Sequence, residues 1–145
     1  MPSYRTSIRI ARPVAEVFDY LKDVTAWSTW MNVGSVRTGG GETRVGMHAE
    51  GVMSEGGGAP FTMEVTELEP GRAVGLRTLS GPIDWAGRWE VRPVDSGTTE
   101  VTSTGTIRLH GLRRLLEPLM AGEVQKGEAN ELVRLRAVLE GAPKG

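Results

Sequence analysis

Alternating hydrophobic and polar residues run through most of this chain and predict a series of β-strands. Near its start, Tyr4, Thr6, Ile8 and Ile10 alternate with polar residues, which is typical of a strand with one buried face. The same two-residue period recurs, weakly or clearly, in stretches 33–38, 45–54, 61–66, 74–78, 83–92 and 99–109. Turn sequences rich in glycine and proline separate these stretches, so we expect about seven strands in all.

Two short helices are predicted between the first and second strands. Pro13 suits a first helical turn, where its missing N–H is not needed, and hydrophobic residues then follow at helical spacing: Val14, Val17, Phe18 and Leu21. Trp27 and Trp30 are three positions apart, so a second short helix would place both rings on one side. Tryptophans in such positions close the edge of a core or form the wall of a pocket.

A long helix is predicted from about Leu112 to Glu140. Its early leucines recur at three- and four-residue steps, but continuing the same steps reaches polar residues such as Glu123 and Asn130. A second apolar stripe, which includes Leu135, runs from beyond Gly122 to the end of the helix. Either the helix bends near its glycines, with Glu123 in solvent, or its first face meets a wetter region such as a cavity.

The order of elements predicts an α+β fold. Consecutive strands with hairpin-length loops pair in antiparallel fashion. A single sheet of about seven strands and one long helix pack economically if the sheet curves strongly and wraps around that C-terminal helix. We therefore expect one domain over residues 1–145, with the two short helices placed after the first strand.

Composition excludes several classes of partner. The 145 residues carry a net charge of -1, with 17 basic and 18 acidic side chains, so no strong field favours nucleic acid or an anionic membrane. No cysteine is present, and no apolar run resembles a signal core or a membrane span. We expect a cytoplasmic protein without integral membrane association, as a monomer or a homodimer.

Polar residues suggest no catalytic or metal-binding motif. His48 and His110 are isolated, and a zinc site without cysteine would need carboxylates from elsewhere, so we expect no metal and no cofactor. No Gly-x-Ser-x-Gly sequence indicates a serine hydrolase. Glu123, Arg77 and His48 are the weak catalytic candidates, and Asn130 is a further polar candidate for a pocket. For Glu123, Arg77 and Asn130, a solvated or salt-bridged role is the preferred interpretation.

The order of motifs resembles the START-like superfamily, also called SRPBCC, and within it the polyketide cyclase/dehydrase and lipid-transport family. Its members include carriers, aromatase/cyclases, hydrolases and chaperone activators, so the resemblance implies a fold more firmly than an activity. It implies a helix-grip fold with an apolar cavity between the sheet and the long helix. The residues that carry it are "IARPVAEVF" at 10–18, the stretch 23–30 with its paired tryptophans, Val45-Gly46, Val65-Thr66-Glu67, Pro70-Gly71-Arg72, the stretch 97–101 and the closing helix to Glu140.

Hydrophobic side chains on the inward faces are the candidates to line such a cavity. Methionine adapts to irregular ligands and tryptophan offers a flat wall, although the same residues can simply fill a core. The expected ligand-binding residues are Trp27, Trp30, Met53, Phe61, Met63, Leu76, Trp85, Gly87, Trp89, Ile107, Leu116, Met120 and Glu123.

Gly87 lies between Trp85 and Trp89 on one side of the clearest strand pattern. A glycine there leaves a gap about one side chain wide. In a filled core, Leu116 or Met120 would enter that gap from the helix. In a carrier the gap would stay open for ligand, and Gly87→Leu would then block binding and leave the fold intact.

Three functions remain open on the sequence. The first is binding of a hydrophobic small molecule, such as a lipid, a polyketide or an aromatic metabolite, in the cavity. The second is a cyclase/dehydratase-type enzyme that folds a poly-β-ketone in the same cavity, with polar groups assisting aldol closure and water loss. The third is a protein-interaction module that uses the sheet edge or the Trp27/Trp30 region.

Overall fold

The computed structural model of the protein describes residues 3–53, 58–81, 83–109, 115 and 117–141, with only the backbone described for 117–121. The predicted start of the long helix, near Leu112, lies outside these residues. The strands are β1 (Ser3–Ile10), β2 (Val33–Thr38), β3 (His48–Met53), β4 (Pro60–Glu69), β5 (Ala73–Ser80), β6 (Ile83–Asp95) and β7 (Thr98–Leu109). The helices are α1 (Val14–Lys22), a 3₁₀ turn (Val24–Ala26), α2 (Trp27–Trp30) and α3 (Glu117–Glu140).

The seven strands form one antiparallel sheet in the order β1-β7-β6-β5-β4-β3-β2. Consecutive strands from β2 to β7 are neighbours, as expected for strands joined by tight turns. The chain therefore begins at one edge of the sheet, crosses to the other edge through α1 and α2, and returns strand by strand. The predicted α+β class, the strand number, the two short helices and the long closing helix are confirmed.

The predicted start of the third strand is wrong. The third strand was expected from residue 45, but β3 begins at His48 because residues 45 and 46 form a turn. Gly46 adopts a φ of 90°, in the left-handed region that favours glycine. Its backbone N–H still donates to the Val65 carbonyl oxygen at 2.8 Å, so the turn remains attached to β4.

Helix α3 covers the free edge of β1. The Gln125 side chain accepts a hydrogen bond from the Arg5 backbone N–H at 3.2 Å and donates one to the Arg5 carbonyl oxygen at 2.7 Å. Further along, the Glu140 carboxylate accepts from the Ala11 backbone N–H at 2.7 Å. An uncovered edge strand would offer these backbone groups to another chain, so the helix protects the sheet as well as the core.

The core lies between the sheet, the short helices and the second apolar stripe of α3. Leu132 and Leu135 are fully buried there, together with Trp27, Trp30 and Trp89. The Trp30 and Trp89 rings meet edge to face, with centroids 5.2 Å apart. The second apolar stripe of α3, which includes Leu132 and Leu135, therefore packs against the core.

Tyr4 and Trp85 fill the gap beside Gly87 from the sheet itself, so the expectation of an open gap is wrong. The alternative, in which Leu116 or Met120 enters the gap, concerns side chains outside the described residues. Gly87 faces Gly105 across β6 and β7, and Tyr4 pairs with Gly105 from β1. A Cβ atom at Gly87 would overlap the Trp85 ring and lie 2.8 Å from the Tyr4 hydroxyl oxygen. We therefore expect Gly87→Leu to destabilise the fold, since its side chain would displace Tyr4 or Trp85.

Substitution of Leu135 tests the packing of α3. An aspartate there would bury an unpaired carboxylate, which costs several kcal/mol in a domain whose whole stability is roughly 5–15 kcal/mol. Val133 lies on the same helix with 46% of its surface exposed, so Val133→Asp is a matched control. We expect Leu135→Asp to unfold the protein and Val133→Asp to melt within a few degrees of wild type, as measured by circular dichroism. Equal melting temperatures for the two variants would contradict this packing.

Candidate ligand cavity

An apolar cavity of about 130 Å³ lies between the inner face of the sheet and α3. It is close in size to an engineered cavity of about 150 Å³ that binds benzene. Its polar lining comes from Asn32, Thr78, Glu128 and Glu131, and the rest is hydrophobic. The complete lining is Met31, Asn32, Val33, Met53, Phe61, Met63, Thr78, Ile83, Trp85, Ile107, Glu128 and Glu131.

A larger outer groove of about 440 Å³ lies beside this inner cavity. The two spaces share four lining residues, namely Asn32, Met53, Ile107 and Glu128. The groove adds charged side chains from α3, among them Lys126 and Arg134. A molecule that enters from the groove therefore passes from a polar rim to an apolar interior.

Two buried carboxyl groups form the α3 side of the inner cavity. Glu128 and Glu131 are three residues apart and share one face of the helix, with only 7% and 4% of their surfaces exposed. Glu131 Oε2 accepts a hydrogen bond from the Asn32 backbone N–H at 2.7 Å. The other oxygen of Glu131 (Oε1) and Oε2 of Glu128 are buried without a hydrogen-bond donor among the described residues.

Burial raises the pKa of both carboxyl groups. For Glu131, loss of solvent is the largest cause, and the adjacent Glu128 carboxyl raises the pKa further, well above the usual range. The Asn32 N–H and the Arg134 charge oppose this rise. For Glu128, burial again raises the pKa, while contacts with Glu131 and Tyr4 hold it back. Two carboxyl groups so placed favour sharing one proton over carrying two charges.

A hydrogen bond joins the side chains of Tyr4 and Trp85 close to the carboxyl groups. The Trp85 Nε1–H donates to the Tyr4 hydroxyl oxygen at 2.8 Å, and both side chains are buried. Burial raises the pKa of Tyr4, and the nearby Glu128 charge raises it further. Tyr4 therefore remains a neutral phenol. The ring centroids of Trp85 and Trp89 lie 5.8 Å apart. This contact joins the floor of the cavity to the core.

Arg134 attaches the loop after α2 to α3. Its Nε–H donates to the Trp30 carbonyl oxygen at 3.0 Å, and its Nη2 donates to Oδ1 of Asn32. Asn32 Nδ2 in turn donates to the Gly127 carbonyl oxygen at 3.4 Å. These contacts aim the Asn32 backbone N–H at Glu131 and keep one positive charge close to the two carboxyl groups.

The structure brings together part of the predicted ligand-binding set. Met53, Phe61, Met63, Trp85 and Ile107 line the inner cavity. Four others, Trp27, Trp30, Leu76 and Trp89, are buried in the core outside that lining, and Gly87 lies beneath the Trp85 ring. Glu123 is exposed and, like Asn130, lines the outer groove. Leu116 and the side chain of Met120 lie outside the described residues, as does His110.

The other catalytic candidates lie on the opposite face of the sheet. Arg77 pairs with Glu64 through Nη2 and Oε1 at 2.7 Å, and His48 Nε2 lies 3.6 Å from Glu64 Oε2. Glu64 follows the buried Met63 in β4, so its side chain points away from the cavity. The Arg77 side chain lowers the pKa of Glu64, chiefly through their hydrogen bond. This group is an exposed ion-pair cluster and does not reach the cavity.

Sequence reasoning missed Glu128 and Glu131. Their positions carry the signal that could have identified them, because each lies four residues before a buried leucine of the helical stripe, Leu132 or Leu135. Extending that stripe towards the start of α3 places both carboxyl groups on the buried face.

Within the described part of the chain, no three histidine, aspartate or glutamate side chains cluster closely enough to hold a metal ion. Among the described helices, none has the length and hydropathy needed to cross a bilayer.

Replacing Glu131 with glutamine should change how stability depends on pH. A carboxyl whose pKa is raised by folding stabilises the protein below its unfolded value of about 4.3, and this stabilisation is lost as pH rises through the folded value. Glutamine does not titrate, and its amide can donate to Glu128. The stability of Glu131→Gln relative to wild type should therefore grow as pH rises from the unfolded pKa of about 4.3 through the raised pKa of the folded state.

Urea unfolding at a series of pH values measures this difference. Glu50→Gln, which removes an exposed carboxylate paired with Arg37, is the matched control for the change in charge. A stability difference between Glu131→Gln and wild type that stays constant from acid to neutral pH would contradict the raised pKa.

Comparison with known proteins places this chain in a family. The family described as polyketide cyclase / dehydrase and lipid transport matches residues 1–140. Among solved structures, the di-domain ARO/CYC BexL from the BE-7585A biosynthetic pathway is similar with a TM-score of 0.81 and 19% identity. That match covers 100% of this chain but 48% of BexL, so this chain spans about half its length.

A second structure, TTHA0849 from Thermus thermophilus, has a TM-score of 0.81 and 20% identity over 99% of this chain and 100% of that one. At these identities the structural similarities establish the fold alone. No curated protein sequence matches the chain. The family match over nearly the whole chain confirms the resemblance seen in the sequence, and the protein belongs to the polyketide cyclase/dehydrase and lipid-transport family of the SRPBCC superfamily.

Proposed function

We propose that this protein binds a hydrophobic small molecule, such as a lipid, a polyketide or an aromatic metabolite, in the cavity between the sheet and α3. The observation that carries this proposal is the inner cavity, which is lined mainly by methionine, aromatic and aliphatic side chains. Family membership supports the same class of ligand. Three of the lining residues, Met31, Met53 and Met63, are flexible and polarisable, which suits ligands of irregular shape.

The two adjoining spaces fit a ligand in two parts. The inner cavity of about 130 Å³ accommodates an apolar group the size of one ring. The outer groove of about 440 Å³ accommodates a longer or more polar remainder. Small-molecule sites usually measure roughly 300–1,000 Å³, so the inner cavity alone is small and the ligand uses both spaces.

A second candidate function is catalysis of the cyclase/dehydratase type, and the carboxyl pair favours it. A carboxyl group that stays protonated near neutral pH can donate a proton to a leaving hydroxyl group, and an ionised partner can accept one. Glu128 and Glu131 are better placed for this work than Arg77 or His48, which point away from the cavity. Loss of turnover in Glu131→Gln, with ligand binding retained, would support this candidate.

Binding of the neutral dye N-phenyl-1-naphthylamine tests the proposal. We expect a saturable rise in its fluorescence with wild-type protein. Ile107→Trp fills the shared wall of the cavity and groove and should weaken binding at least about tenfold, equivalent to about 1.4 kcal/mol. Val94→Trp places the same ring at an exposed position on β6 and should bind like wild type. Circular dichroism confirms that each variant folds.

Two results would contradict binding in this cavity. One is the absence of any saturable response in the wild type. The other is equal dye affinity of folded Ile107→Trp and wild type, which would place the dye elsewhere on the protein.

A further inference from the structure

The inner cavity holds two acceptor oxygens that a hydrocarbon ligand would not satisfy. Apart from the proton that the two carboxyl groups can share, Glu131 Oε1 and Glu128 Oε2 are buried without a donor among the described residues, and both side chains line the cavity. A buried polar group without a hydrogen bond is costly, and a ligand made only of methylene groups would leave both oxygens without a donor. The ligand that fits best therefore carries hydrogen-bond donors next to these two oxygens.

If both carboxyl groups were ionised, the charge around them would be unbalanced towards the negative. Arg134 is the nearest cation among the described residues, and its donors already reach the Trp30 carbonyl oxygen and Asn32 Oδ1. The hydroxyl of Tyr4, from β1, is a neutral neighbour. The strand residues that line the cavity, from β2 to β7, contribute no charged side chain. A positive group on the ligand could replace the proton that the two carboxyl groups share and so balance the second carboxylate.

We propose that the ligand is a small hydrophobic amine whose ammonium group donates hydrogen bonds to Glu128 Oε2 and Glu131 Oε1 while its apolar body occupies the inner cavity. This inference rests on the proposed function and names the chemical class of the ligand. An ammonium group has three donors and a positive charge, so it can donate to two oxygens at once. An alcohol supplies a single donor, and a carboxylic acid adds a third negative group.

Binding of the amine is coupled to release of a proton. Burial raises the pKa of both carboxyl groups, which favours a single proton shared between them in the free protein. The bound ammonium replaces it, and the proton passes to solvent, so the charge of the site stays constant. Affinity for the amine should therefore rise with pH until the amine itself loses its proton. A neutral ligand requires no such release.

Isothermal titration calorimetry with 2-phenylethylamine and its uncharged counterpart 2-phenylethanol tests this inference. We expect the amine to bind at least about tenfold more tightly than the alcohol at neutral pH. Titration in two buffers of different ionisation enthalpy should show proton release for the amine alone. The amine-to-alcohol affinity ratio should fall towards one in Glu128→Gln and stay unchanged in Glu50→Gln, the exposed control on β3.

The outcomes separate this inference from the proposed function. If N-phenyl-1-naphthylamine and 2-phenylethanol bind but 2-phenylethylamine binds no more tightly than the alcohol, the ligand is not selected for an amino group and the inference fails. The proposed binding of a hydrophobic molecule in the cavity is then retained. If Glu128→Gln is folded and weakens amine and alcohol equally, the carboxyl pair does not recognise the ammonium group, and the inference fails. If none of the three probes binds, both the inference and the proposed function fail.

Discussion

Burial of two carboxyl groups between the sheet and α3 is the constraint on which this structure depends. Removing a carboxylate from water is expensive unless hydrogen bonds and opposite charge replace the lost solvent. Here Asn32 donates its backbone N–H to Glu131, Arg134 supplies a nearby charge, and the Tyr4 hydroxyl lies beside Glu128. These partners come from three separate parts of the chain. The hydrogen bonds and the positive charge that the two carboxyl groups require therefore hold β1, the loop after α2 and α3 in fixed positions relative to one another.

The same contacts shape the cavity. Tyr4 reaches the carboxyl groups because Gly87 and Gly105 leave space for its ring on the inner face of the sheet. From there its hydroxyl accepts the Trp85 indole N–H and holds that ring as the cavity floor. On the other side, Arg134 keeps the loop after α2 against the helix. The polar contacts that stabilise the buried pair thus also keep the hydrophobic walls in place.

Most of the fold could be predicted from the sequence because half-buried strands impose a two-residue period on side chains. Phe61, Met63 and Val65 alternate with polar neighbours, and all three are buried in β4. The start of β3 is harder to predict from the sequence, because the alternation of hydrophobic and polar residues is weak there and a turn at Gly46 interrupts it before the strand begins. In α3, the later stripe with Leu132 and Leu135 identifies the packed face.

The polar part of the candidate site could not be predicted in the same way. Their spacing from Leu132 and Leu135 places Glu128 and Glu131 on the packed face of α3, but a carboxylate favours solvent, and which elements cover the two groups depends on tertiary packing. The contact of Tyr4 with Trp85 joins residues 81 positions apart, and it depends on the register of β1, β7 and β6. A hydrophobic pattern determines which residues share a face of the sheet, but it does not by itself determine which residue lies opposite which on the neighbouring strand. The pairing of Arg77 and His48 with Glu64 is fixed by strand register in the same way.

The central claim, that folding raises the pKa of the carboxyl pair, is tested most directly by nuclear magnetic resonance. In protein labelled with ¹³C at the glutamate carboxyl carbon, the signals of Glu128 and Glu131 can be assigned by their absence from the corresponding glutamine variants. The account predicts that both signals titrate above about 4.3, the usual glutamate value, with the two transitions coupled. Independent titration of both groups at or below that value would contradict it.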